Sequence, residues 1–349
     1  MPSFVKTSAI AATALLGLAS TAFAQAPPAA PAGKTLETIK ARGQLSCGVS
    51  TGNPGFSNPD DKGSWTGFDV DFCRAVAAAI FDDPSKVSFK PLTAKERFTA
   101  VQSGEVDILS RTTTWTIQRD SSLGMAFAGI MYFDGQGLMV PKKLGVKSAK
   151  ELNGASVCVA TGTTTERNLA DYFRSNKLDY KPVVYEKAEE IIAAYQAGRC
   201  DVFTTDQSSL YTQRTRMQVP GDHVVLPEII SKEPLGPVVR QGDFQFFTLV
   251  KWVYYGLLNA EELGITQKNV ADFAANNKKP EVMRALGNDG DFGPGLGLTK
   301  DWLVRIVKHV GNYEEMYERN LGEGSPIKIA RGYNRLWSKG GLQYAPPIQ

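Results

Sequence analysis

The stretch Ala100-Val-Gln-Ser-Gly-Glu-Val-Asp-Ile-Leu109 recurs, with its glycine and aspartate in register, as Ala194-Tyr-Gln-Ala-Gly-Arg-Cys-Asp-Val-Phe203. Each copy reads as the end of a helix, a glycine stop and a short buried strand, so the chain contains one structural unit twice. A charge of opposite sign follows each copy: Arg119 closes Ser110-Arg-Thr-Thr-Thr-Trp-Thr-Ile-Gln-Arg119, and Asp206 closes Thr204-Thr-Asp206. Duplicated units predict two similar lobes, one offering a cation and the other an anion. A free amino acid carries the complementary pair.

The surrounding chain extends this grammar in both directions. Leu45 to Val49 reads as a strand, and Asp69 is placed to cap a helix whose Phe72, Val76 and Ile80 fall on one stripe. Thr93-Ala-Lys-Glu96 is a capping box opening a helix that packs Phe98 and Val101 and stops at Gly104; Val106 to Leu109 follows as a strand. In the second copy Val157 to Ala160 is a strand, Ala188 to Ala197 a helix with Ile191, Ile192 and Tyr195 inward, and Cys200 to Phe203 a strand. Alternating strands and helices predict parallel α/β layers, in which ligands bind beyond the carboxyl ends of the strands. Thr112 to Arg119, Thr161 to Thr165 and Asp206 all fall there.

Two crossings between the lobes are expected, near Tyr132 to Leu138 and near Glu228 to Gly236, and a pair of antiparallel connectors makes a hinge. Lobe 1 is then discontinuous: residues 35–135 form its first part, 136–227 form lobe 2, and 228–349 return to lobe 1. In the return, Phe247, Val250, Trp252, Val253, Leu257 and Leu258 mark an apolar helix ending before Gly264, and Arg331 to Gln349 reads as a loose end.

Lys6 precedes an uncharged, Ala- and Leu-rich stretch from Thr7 to Ala22, and Ala22-Phe-Ala24 supplies small residues for cleavage, so residues 1–24 read as a secretory signal peptide. Residues 25–34, dominated by Pro and Ala, read as a flexible leader. Roughly 320 residues remain after such a cut, a length suited to about two domains. The hydrophobic share of 42% is ordinary for globular protein, and a net charge of +3 without a basic tract lacks the electrostatic footprint of a nucleic-acid binder. His223 and His309 are far apart and no Cys-x-x-Cys occurs, so neither a metal site nor any cofactor is expected.

Four cysteines in an exported chain are more often bridged than free. Three pairings are open, and four buried thiols remain the alternative. The two-lobe reading favours Cys47–Cys73 and Cys158–Cys200, one bridge per lobe.

Gly67-Phe-Asp-Val-Asp71, Gly104-Glu-Val-Asp107, Thr112-Thr-Thr-Trp-Thr-Ile-Gln-Arg119, Gly162-Thr-Thr164 and Gly198-Arg-Cys-Asp-Val-Phe-Thr-Thr-Asp206 occur in an order and spacing that resemble the periplasmic substrate-binding proteins of polar amino-acid ABC importers. Gly52-Asn-Pro-Gly-Phe-Ser57 and Ala260-Glu-Glu-Leu-Gly264 resemble the general L-amino-acid-binding branch of that family. The resemblance implies a two-lobed type II periplasmic-binding-protein fold with a two-strand hinge, a periplasmic location, an L-amino acid as ligand, a membrane permease as partner and a monomer. It implies that Arg119 clamps the ligand carboxylate through paired charge-assisted bonds. Thr112 would add a main-chain contact, Thr114 its hydroxyl and Thr164 a donor from the other lobe, while Asp206 would accept from the ammonium.

Each position also has a plainer reading. Thr163 or Thr164 serves equally as a helix cap, Asp206 as a cap or turn residue, and Phe56 as core. Asp69 and Asp71 suit a helix start electrostatically and are taken as structural. Binders of basic amino acids within the family have an acid where this chain has Ser50, and an aromatic often stacks where it has Asn53. Without a fixed counter-charge for the ligand side chain, broad specificity is expected, with Arg111 an unplaced charge that could bias the site toward acids. The rival reading is a periplasmic dehydratase-like enzyme on the same fold, which needs a general acid or base in the cleft. No His lies near the candidate segments, and Glu166 is the nearest extra acid.

Overall fold

The computed structural model of the chain describes Met1 and residues 33–349; the expected signal peptide and nearly all of the leader lie outside the described residues. Two five-stranded mixed sheets organise the described chain. In the first, strand Leu45–Val49 is flanked by parallel partners Val87–Pro91 and Ile108–Leu109, followed by antiparallel Val238–Arg240 and then Met125–Phe127. In the second, Ala155–Ala160 lies between parallel Tyr180–Tyr185 and Val202–Asp206, followed by antiparallel Gln136–Pro141 and then His223–Val225. The same spatial order is thus built twice, and in both sheets the fourth strand is the one that has just entered from the other half.

The crossing segments pair as expected. Tyr132–Asp134 runs antiparallel to Glu233–Leu235, with Asp134 opposite Glu233 and Tyr132 opposite Leu235. The Thr-rich loop after Ile108–Leu109 hydrogen-bonds along the same connector: Trp115 N donates to Pro234 O at 2.8 Å, and Gly236 N to Thr113 O at 3.0 Å. Gly236 cannot carry a side chain, because a Cβ there would stand 1.9 Å from Gly129 O.

Every residue of Leu45–Val49 is buried, the pattern of a strand covered on both faces. One face packs against helices Phe68–Phe81, Phe244–Glu262 and Trp302–Val310 in the largest core cluster. The second sheet has Leu138, Val157, Leu169 and Phe173 on one face and Ile191, Tyr195, Phe203 and Leu210 on the other. Cys47–Cys73 and Cys158–Cys200 are bridged, with Cα separations of 6.4 and 5.6 Å, tying one strand to one helix in the first half and the exit of helix Ala188–Gln196 to the second sheet.

Four local expectations are corrected. Asp69 does not cap helix Phe68–Phe81. Gly67 occupies the cap position at φ 131°, where a Cβ would meet Phe56 O at 2.2 Å. The Asp69 carboxylate instead accepts from Thr112 N at 3.0 Å and Ser110 Oγ at 3.2 Å. The first repeat's strand is shorter than expected, Ile108–Leu109, because Val106 N still donates to Ala100 O at the helix exit. The second repeat's strand is Val202–Asp206, so Cys200 precedes it and Asp206 ends it.

The fourth correction concerns the C-terminal end, which is docked rather than loose. Arg331 makes a two-pronged pair with buried Glu261 at 2.8 and 2.9 Å. Asn334 Oδ1 accepts from Phe133 N at 2.7 Å, and Gln343 Nε2 donates to Ile130 O and Met131 O at 3.2 and 3.1 Å. Polar side chains that bond hinge-strand backbone hold this segment, a contact that Gly and Pro content does not reveal. Thr93 and Glu96 make the capping-box bonds, at 3.0 and 3.3 Å, one turn ahead of helix Arg97–Ser103.

Candidate functional site

The carboxyl ends of the two sheets face each other across a cavity of about 90 Å³, room for several water molecules. Its wall is strongly polar. From the first half come Asn53, Arg97, Arg111, Thr112 and Thr114, and from the second half Thr163, Thr164, Asp206, Ser209 and Gln213.

Asp206 ends its strand and stands at the cap position of helix Gln207–Arg214, yet its side chain caps nothing and accepts no hydrogen bond from any described residue. It is 8% exposed. Burial, then the neighbouring charges of Asp134 and Glu233, push its carboxyl well above the usual range, and Arg97 and Arg119 pull the other way. A buried acid without a protein donor is costly unless something supplies one.

Two arginines, Arg97 and Arg111, line the same space, and Arg119 contacts its wall from outside. Arg97, the first residue of its helix, is 3% exposed; its Nε has no partner among the described residues and one of its terminal nitrogens reaches Thr113 Oγ1 only at 3.4 Å. Burial lowers its pKa far below the ordinary arginine value, and the like charges of Arg119 and Arg111 add to that. Arg111, unplaced in the sequence, donates through Nε to Leu92 O at 2.8 Å on the cavity wall. Arg119 stands just behind the wall: a terminal nitrogen donates to Thr114 O at 2.7 Å, and the guanidinium lies 5.0 Å from the Phe98 ring centre. Burial draws its pKa down to about 10, against the opposing pull of Glu233 and Asp206.

The threonines are more engaged than expected. Thr112, expected to add a main-chain contact, adopts φ 37°, and its N–H donates to Asp69. Thr163 is the helix cap, accepting from Glu166 N at 3.2 Å and donating to Ala160 O at 2.7 Å. Thr164 donates its hydroxyl to Glu233, as Thr114 does. Asn53 bridges the two halves: Nδ2 donates to Ser209 Oγ and Oδ1 accepts from Thr212 Oγ1, both at 3.0 Å. Gln213 Nε2 donates to Gly52 O at 3.1 Å beside it, and Lys95 pairs with Glu186 at 3.2 Å. Phe56 is not brought to the cavity; it is 1% exposed and packs edge-to-face on Tyr132 at 5.4 Å, so the core reading of this aromatic holds.

Sequence reasoning missed Arg97, Glu233 and Asp134. A signal existed for two of them: Glu233 and Asp134 are acids inside crossing strands, where acids are depleted. Arg97 gave none beyond following a capping box.

The twice-built sheet order, the paired crossing strands and a polar cavity between facing strand ends define a two-lobed solute-binding protein of the type II fold. Residues 45–250 match the family of bacterial extracellular solute-binding proteins, family 3, and the chain belongs to that family. It is 60% identical over 317 residues to the general L-amino acid-binding periplasmic protein AapJ of Rhizobium johnstonii, covering 90% of this chain and 93% of that one. The glutamate/glutamine/aspartate/asparagine-binding protein BztA of Rhodobacter capsulatus is 50% identical over 330 residues, 95% of this chain and 98% of its own. Among solved structures, an ABC transporter periplasmic binding protein from Brucella ovis with glutathione bound superposes with a TM-score of 0.89 at 61% identity, over 90% of this chain and 99% of that one.

Proposed function

We propose that this chain is a periplasmic receptor that captures L-amino acids by closing its lobes on them and delivers them to an ABC-type permease. The observation that carries the reading is the Asp206 carboxylate, buried and without a donor among the described residues, in a cavity whose opposite wall carries Arg97 and Arg111. An ammonium supplies Asp206 with its missing donors, and a carboxylate supplies acceptors to the arginines. Arg119 clamps the ligand α-carboxylate and also holds the Thr114 carbonyl; Thr112, Thr114, Thr163 and Thr164 line the space between, and Asn53 closes it across the cleft. The names of AapJ and BztA support amino acids as the ligand class.

Breadth follows from recognition of the shared zwitterion, with one bias. Arg97, buried beside the cavity with Nε unpartnered, favours acidic side chains within a broad range. Because the contacts come from both halves, the full set exists only in the closed form, and ligand shifts the population toward it. The permease then reads that shape. Calorimetry of the mature protein with all twenty L-amino acids tests the reading. Binding of many, with glutamate and aspartate among the tightest, is expected; a single strong ligand overturns the breadth, and no binding at all overturns the function.

A further inference from the structure

Glu233 lies in the second crossing strand, opposite Asp134, and is 1% exposed. Four side chains converge on its carboxylate. Thr114 Oγ1 and Thr164 Oγ1 both donate to Oε2, at 2.6 and 2.9 Å, while Asn168 Nδ2 and Ser231 Oγ donate to Oε1, at 2.7 and 2.6 Å. Thr114 belongs to the first half of the molecule; Thr164 and Asn168 belong to the second. One oxygen atom of the hinge therefore collects a hydroxyl from each side of the cleft.

A threonine hydroxyl has a single proton, and a carboxylate can only accept. With both protons directed at Oε2, the 3.3 Å contact between the two hydroxyl oxygens has no proton of its own. Toward the cavity that both residues line, each oxygen then offers lone pairs alone. We infer that Glu233 is a positioning residue that fixes the polarity of the Thr114–Thr164 pair, turning two groups able to donate into acceptors that select the ligand's ammonium. Together with Asp206 they present three acceptors to a group with three N–H bonds. A carboxylate placed there would meet only lone pairs, so the same device sets which way round the zwitterion enters.

The inference rests on the amino-acid-binding function proposed for this cleft, and its test separates the two. L-glutamate and L-2-hydroxyglutarate differ only in carrying an ammonium or a hydroxyl at the α-carbon. Their affinities are measured by calorimetry on the mature, disulfide-bonded protein and on Glu233→Gln. The Asn168 amide nitrogen can only donate, so the glutamine carbonyl stays on that side. Its NH₂ group then faces the threonines and reverses them. Wild type is expected to prefer glutamate, and the preference is expected to fall by about tenfold or more in Glu233→Gln, the scale of hydrogen bonds to a charged group.

Equal weakening of both ligands, with the preference intact, makes Glu233 a structural residue and overturns the inference while leaving the amino-acid reading in place. A wild type that binds neither ligand overturns both. Should Glu233→Gln fail to fold, Thr164→Val removes one acceptor at nearly constant volume. The same fall in preference is then expected, and an unchanged preference is the contrary result.

Discussion

Arg119 and Asp206 occupy corresponding places after the two copies of one phrase, but Asp206 lines the cavity while Arg119 stands behind its wall. The aspartate is bare and the arginine is partly engaged with Thr114 O. Truncating either leaves an uncompensated charge on the ligand, which costs several kcal/mol in buried pairs. Arg119→Ala is expected to weaken every amino acid at least about a hundredfold, in calorimetry across ligand classes; loss confined to one class contradicts a common clamp. Arg97→Met, by contrast, should weaken glutamate and aspartate about tenfold or more and leave alanine and serine nearly unchanged. Asp206 adds a pH dependence. Burial raises its carboxyl, whereas a bound ammonium requires the ionised form, so ligand binding displaces a proton and affinity falls as the pH is lowered. Titrations in buffers of different ionisation enthalpy should show proton release on binding, and proton uptake is the opposing result.

At the scale of elements, the loop after strand Ile108–Leu109 is held in shape by Asp69. Its carboxyl is raised to about 7, chiefly by burial, from the ordinary 3.8. A group whose folded pKa is raised binds protons more tightly in the native state. Its contribution to stability is therefore full below about pH 3.8 and is lost as the pH rises toward about 7. Asp69→Asn should flatten the decline in melting temperature across that window; an unchanged profile contradicts the assignment. The two disulfides close spans of 26 and 42 residues, each worth about 3–4 kcal/mol by chain entropy. Much at this scale is legible in the sequence. Gly104 and Gly198 stop helices at φ 76° and 71°, and Thr93 and Glu96 make their box, because such signals act over a few residues. Asp69 misleads for the same reason: a helix-start acid looks like a cap until the distant Thr112 N–H claims it.

In the whole molecule, the duplicated phrase correctly announces two similar sheets, and the Gly- and Pro-bearing crossings announce the paired connectors. Beyond the opposite charges of Arg119 and Asp206, the side-chain contacts that join the two halves are not legible in the sequence. Glu233 gathers Thr114 from one side and Thr164 from the other, Asn53 reaches Ser209 and Thr212, and the C-terminal Asn334 and Gln343 bond the hinge strand and the segment before it, all through contacts separated by long stretches of chain. Asn53→Ala removes two of these cross-cleft bonds and should favour the open form. Weaker binding of all ligands and a larger ligand-free radius in small-angle scattering are expected, and an unchanged radius with unchanged affinity contradicts that role. The most direct test of the central claim is a crystal structure of the mature protein with an L-amino acid bound. The account predicts the α-carboxylate within about 3 Å of the Arg119 guanidinium and the ammonium at the same distance from Asp206. A ligand lying the other way round, or touching residues of one lobe alone, would contradict it.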